Sequence, residues 1–229
     1  MSAQRRGSLL RELPILVAIA VIVSIIIKTF LVQFFYIPSG SMENTLLVND
    51  RVAVNKLGNF FSEVDRGDVV VFRDTAGWLP EDSGDFGTGI RERVREALVF
   101  IGVLPDPAKQ YLIKRVVGVA GDKVVCCGDD GRLTINGVSI EEPYIFPGDK
   151  ASESEFDVTV PDGFLWVMGD HRAASADSRF HLDDANKGFV PLSAVTGRAF
   201  AIVWPIKNVT FLSRYEGLLS DAPSGDSEK

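Results

Sequence analysis

Cysteine is nearly missing from the 229 residues, occurring only as the adjacent pair Cys126 and Cys127. One adjacent pair cannot build the disulfide framework that staples small secreted domains, and it offers no zinc site. Adjacent Cα atoms lie close together, so the pair is left with two readings, two free thiols or a vicinal disulfide. Positive charge is also scarce: 24 Lys and Arg against 31 Asp and Glu leave a formal charge of −7, with no basic stripe. Phosphate backbones select basic surfaces, so nucleic acid is not expected as a partner. The chain has no internal repeat, and neither a metal nor a cofactor is expected.

What is present begins with apolar bulk. From Leu13 to Ile27 every residue is apolar except Ser24, and Pro14 sits where a first helical turn tolerates a missing N–H. Continued through Lys28 and Thr29 to Phe35, the run reaches the roughly 20 residues a bilayer core requires. Lys28 falls near the end of that span, where its stem can lie among acyl chains and its ammonium can reach the headgroups. Arg5, Arg6 and Arg11 precede the run and bias it to keep its N-terminus cytoplasmic. A cleaved leader is the competing reading, but the small pair Ala18 and Ala20 lies inside the run rather than after it. A single-pass anchor in the plasma membrane is expected, with the rest of the chain extracytoplasmic and the lipid bilayer as a partner.

The remaining length suits one core of about 100 to 200 residues. Arg51 to Lys56, Asp68 to Phe72, Tyr111 to Val119, Asp122 to Cys127 and Gly163 to Met168 are short segments rich in Val, Ile and Phe, and read as strands. Asp130-Gly131 and Asn136-Gly137 are hairpin-turn pairs. The expected class is mainly β: an antiparallel sheet domain, with the N-terminal transmembrane helix and one inserted helix. The expected division is an arm at 1–12, the anchor at 13–35, an exterior domain at 36–215 and a disordered tail at 216–229. Within the domain, 76–110 reads as a loop followed by an amphipathic helix, where Val94, Leu98 and Ile101 recur at helical spacing. The chain is expected to act as a monomer.

Chemistry concentrates where Tyr36-Ile37-Pro38-Ser39-Gly40-Ser41-Met42 follows the anchor, two hydroxyls around a permissive glycine. Ser41 is a candidate nucleophile and needs a base. His171 or His181 with Asp170, Asp177 or Asp183 would make a triad. The rival base is Lys114, in the apolar strand Tyr111 to Gly118, where desolvation lowers an amine's pKa toward neutrality.

Four motifs decide between them: Ile37 to Met42, Arg66 to Phe72, Ile113 to Lys123 and Met168 to Arg179, in that order after a single apolar anchor. Together they resemble the bacterial type I signal peptidases, or leader peptidases, over the stretch from the anchor to about Trp204. The resemblance implies a serine endopeptidase that removes signal peptides from exported preproteins through a Ser/Lys dyad. It places the nucleophile on Ser41, the base on Lys114, and the oxyanion hole on the Ser39 hydroxyl and the Ser41 N–H. It makes Ser175 the residue that orients the lysine, and gives Asp177 and Arg179 a supporting role through ion pairing with Arg115. It assigns Ile37, Leu46 and Ile113 to the walls of substrate pockets, and Gly169, Asp170 and Arg172 to a structural turn. The sequence departs from the family pattern at His171, Ala173 and Ala174.

Overall fold

In the computed structural model the described residues are 12–19, 21–23, 31–56, 64–79 and 110–215. In chain order the strands are β1 (Val32–Tyr36), β2 (Arg51–Asn55), β3 (Val69–Arg73), β4 (Tyr111–Gly118), β5 (Lys123–Cys126), β6 (Leu133–Ile135) and β7 (Val138–Ser139). They are followed by β8 (Phe156–Thr159), β9 (Phe164–Met168), β10 (Val190–Pro191), β11 (Val195–Trp204) and β12 (Thr210–Phe211). The larger sheet runs β1-β2-β11-β3-β4-β9-β10, with β12 also on β11, and the smaller runs β7-β6-β5-β8. Every pairing is antiparallel, as the sequence led us to expect.

Strand alternation distributes the core. On β3, Val69 and Val71 join one cluster with Phe35, Ile37, Met42, Leu46 and Val52, while Val70 and Phe72 join another with Val116, Leu165 and Val167. The larger sheet is therefore covered on both faces, which explains why β3 and β4 read as nearly unbroken Val and Ile runs. A third cluster, around Val117, Val124, Leu133, Ile135 and Trp166, joins the two sheets. At that junction a Cβ on Gly118 would lie 2.7 Å from Val124 Cγ2, so the close approach requires glycine there. The Asn136-Gly137 pair makes the expected two-residue turn: both residues have positive φ (51° and 81°), and Ile135 pairs with Val138 across it.

The N-terminal expectation needs correcting. Residues 12–19 and 21–23 are helical, but 32–36 are not: they form β1, paired with β2 from Val32 opposite Asn55 to Tyr36 opposite Arg51. Among the described residues no helix is long and apolar enough to cross a membrane. The expected inserted helix lies outside the described residues, as do the N-terminal arm before residue 12 and the tail at 216–229. Cys126 and Cys127 are bonded to each other, which selects the vicinal disulfide from the two readings.

Candidate active site

Ser41 is held in a tight turn that follows β1. Ile37 and Asp50 close the base of the loop backbone to backbone (2.9 Å), and Leu46 N–H returns to Met42 O (2.7 Å). Met42 and Leu46 are fully buried, so two apolar anchors fix the turn into the core beneath the serine. Lys114 projects from β4, whose pairing with β3 puts it opposite Val70. Its Nζ lies 2.7 Å from Ser41 Oγ. Both residues are nearly closed to solvent, at 3% exposure for Lys114 and 7% for Ser41.

Burial lowers the pKa of the Lys114 amine to about 8, against the pull of the Asp177 and Asp170 carboxylates, which favour the ammonium. Those two carboxylates are already matched with other cations. Arg115 binds Asp170 through two nitrogens, at 2.8 and 2.6 Å, and Arg179 binds Asp177 through Nε (2.8 Å) and Nη2 (2.9 Å). Burial pushes the Asp177 carboxyl upward, but the hydrogen bond and charge of Arg179, with the Gly169 N–H and the Ser175 hydroxyl, outweigh it and hold the pKa below the usual value. The lysine amine thus stands in a pocket of satisfied ion pairs.

This pairing corrects one sequence expectation. Asp177 and Arg179 pair with each other rather than with Arg115, and the partner of Arg115 is Asp170, which the resemblance assigns to a structural turn. Strand register carried the missing signal: Arg115 lies opposite Met168 in β9, two residues before Asp170. Asp170 also accepts from Thr45 Oγ1, so one carboxylate links β4 to the turn that holds Ser41.

Ser39 Oγ is 3.5 Å from Ser41 Oγ. Ser175 donates its hydroxyl to Asp177 Oδ2 (2.7 Å), and no hydrogen bond joins it to Lys114 among the described residues. It nevertheless belongs to the site: a Cβ added to Gly169 would meet Ser175 Oγ at 2.3 Å and Ser41 O at 2.4 Å, so both crowd the same glycine. Of the expected pocket walls, Ile37 (1% exposed) and Leu46 (0%) shape the site from beneath, while Ile113 is only partly buried.

The histidines lie elsewhere. His181 stacks on Trp78 (4.3 Å between centroids) and bonds Asp184 (2.8 Å). His171 touches Ser41 only through its backbone, which donates to Ser41 O (3.2 Å), while its ring stacks on Phe146 and lies 3.2 Å from Glu43. A histidine triad is therefore not formed. Among the described residues no group of three or more His, Cys, Asp or Glu is placed to hold a metal ion.

Residues 10–204 match the family described as signal peptidase, peptidase S26. A signal peptidase I of Mycobacterium tuberculosis (strain H37Rv) is 42% identical over 220 residues, spanning 87% of this chain and 74% of the relative. A probable signal peptidase I of Mycobacterium leprae is 38% identical over 232 residues, spanning 90% and 80%. A solved signal peptidase I from Enterococcus faecalis is 24% identical, covers 60% of this chain and 97% of its own, and superposes with a TM-score of 0.37, too low to define the fold.

Proposed function

The chain belongs to the signal peptidase family, peptidase S26, and from that membership we infer which of its residues carry out the work of a serine endopeptidase of the signal peptidase I type. We assign Ser41 as nucleophile and Lys114 as general base. The supporting observation is the 2.7 Å separation of Nζ and Oγ between two side chains shut away from water. A neutral amine at that distance accepts the hydroxyl proton as Ser41 attacks the scissile carbonyl. The Ser39 hydroxyl and the Ser41 N–H meet the charge that develops on the carbonyl oxygen. Lys114 then passes its proton to the departing amine, which is the new N-terminus of the mature protein. The signal peptide stays esterified to Ser41 until water, deprotonated by the same amine, releases it.

Ser175, Arg115, Asp177 and Arg179 support the dyad in this reading, and Ile37, Leu46 and Ile113 shape the pockets that read the residues before the cut. Small side chains fit over such closely packed walls. Cleavage sequences bind as an added strand, with alternate side chains directed into the pockets.

The bilayer is the second partner. The described helical residues Leu13, Ile15, Leu16, Val17, Ile19 and Ile22 are each more than half exposed, and no described residue buries them. A helix apolar on all sides needs either a core or lipid around it. Trp204, Ile206 and Phe211 add exposed apolar surface at the β11 and β12 end of the larger sheet. We propose a plasma-membrane anchor with a cytoplasmic N-terminus, a catalytic domain outside, and a monomer as the working unit. Holding enzyme and preprotein in one membrane raises their effective concentration. The assignment is tested by incubating the full chain with a preprotein in lipid vesicles. Release of the mature protein is expected from the wild type and not from Ser41→Ala; equal release from both overturns the dyad.

A further inference from the structure

A polypeptide cut internally at Ser41 continues on both sides of the scissile bond, and the two flanks of Ser41 differ in chemistry. One flank is the apolar cluster of Ile37, Met42 and Leu46, with Ile113 packed against it. The other is the turn at His171, whose N–H holds Ser41 O and whose ring stacks on Phe146 at 4.1 Å between centroids. Phe146 is also the near wall of an open cleft of about 640 Å³ between the 140–151 segment and the turn at 130–132. We propose that this cleft receives the first residues of the mature chain after the cut, bound in extended form. The proposal rests on Ser41 being the nucleophile.

Three observations support it. The cleft is tied to the nucleophile turn. Asn44 Nδ2 donates to Tyr144 O (3.1 Å) and Ile145 O (3.2 Å), Phe146 N–H donates to Asp170 O (2.9 Å), and Ala173 N–H donates to Asp149 Oδ2 (3.0 Å). The wall is also preformed, because Pro143 and Pro147 bracket its central residues and fix φ at both ends. The lining suits a peptide of variable sequence: Ile140, Ile145 and Phe146 are apolar, and Arg132, Asp149 and Lys150 give charges of both signs. An extended segment sends alternate side chains to opposite sides, so half can meet the apolar wall while the rest face the charged rim or water.

The reach is also adequate. One side chain, that of His171, separates the Ser41 carbonyl from the cleft wall. At about 3.3 Å per residue two to four residues cross that thickness, which puts roughly the third to eighth residues after the cut into the cleft.

The test uses the full chain in vesicles with two substrates sharing one signal segment. One ends two residues after the cut and the other continues for ten. The longer substrate is expected to show about tenfold higher kcat/KM in the wild type, and Ile145→Glu is expected to bring that ratio close to one. In parallel, Ser41→Ala is mixed with the longer substrate carrying a photoreactive side chain at its fifth residue after the cut. Crosslinks are expected within 140–151 and at Arg132. A wild-type ratio of one, a ratio unchanged by Ile145→Glu, or crosslinks confined to other surfaces would overturn the proposal. Because the ratio compares two substrates of one enzyme preparation, a variant that folds poorly lowers both rates without changing it. Loss of short-substrate cleavage in Ser41→Ala reports on the dyad separately from the cleft.

Discussion

Arg115 and Asp170 form a two-pronged ion pair with both side chains wholly closed to solvent. The guanidinium also donates to Gly67 O (2.8 Å) and lies over the Tyr144 ring at 4.2 Å. The carboxylate meanwhile holds Thr45, so β4, the Ser41 turn and the 169–175 turn meet at one charge pair. Each partner needs the other: alone, either would be a buried charge without compensation.

Asp170→Ala is therefore expected to destabilise the protein by about 3–5 kcal/mol, the usual cost of leaving one member of a buried pair stranded. Asp170→Asn keeps acceptor capacity but loses the charge, and should fall between that variant and the wild type. Denaturant unfolding measures both. A loss below about 1 kcal/mol for Asp170→Ala would show that water reaches the guanidinium and that the pair is not sealed.

Lys114→Met is expected to remove turnover by at least about 10⁴-fold while leaving the protein as stable as the wild type or more so. The thioether side chain fills similar space and removes an amine whose burial is unfavourable in its charged form. Ser41→Ala should match it in lost activity. Preprotein cleavage and thermal melting of the same samples test the pair. An active Lys114→Met enzyme would require another base.

With the Lys114 pKa at about 8, the rate should climb tenfold per pH unit on the acid side and level off above about pH 8, well below the range in which an ordinary lysine titrates. Stability should follow the same group with a definite sign. Below about pH 8 both folded and unfolded chains carry the proton, so the cost of burying the ammonium is fully present. Between about 8 and 10.5 the unfolded chain holds a proton that the folded chain has released, and the contribution to stability rises with pH. Rate profiles on a soluble peptide and melts across pH 7 to 11 check both, with Lys114→Met as the reference lacking the effect. An acid limb centred near 10 would show a solvated lysine.

Gly169→Ala tests the crowding between the two serines. The new methyl would enter the space held by Ser175 Oγ and Ser41 O, so one or both must shift. The expected loss is about 100-fold in kcat, since sub-ångström misplacement of reacting groups is costly, with about 1–3 kcal/mol of stability. Normal kcat with a normal melt would place the serines farther from residue 169.

The sequence made some of this legible and not the rest. The Val and Ile runs of β3 and β4 announced strands, and Asn136-Gly137 its turn, because local sterics suffice there. The segment Val32 to Tyr36 fits a helix end and a strand equally well by apolar content, and only its pairing with β2 decides. Strand β11 is not legible in the sequence, because Gly197, Arg198, Ala199 and Ala201 interrupt the β-branched pattern, although it lies between β2 and β3. The serine and lysine could be named from their motifs. The identity of Arg115's partner could not, since several carboxylates were available and the one chosen lies 55 positions away.

Near the Lys114 amine, two arginines are paired with two carboxylates: Arg115 with Asp170, and Arg179 with Asp177. Among the described residues Lys114 has no salt bridge of its own, so its amine adds a positive charge to the site only when it is protonated. A ligand ending in a carboxylate would supply the absent anion. The severed signal peptide ends in such a group, so its retention after the reaction should strengthen as the medium becomes more acidic, and the enzyme should be hindered by its own product where it is already slow.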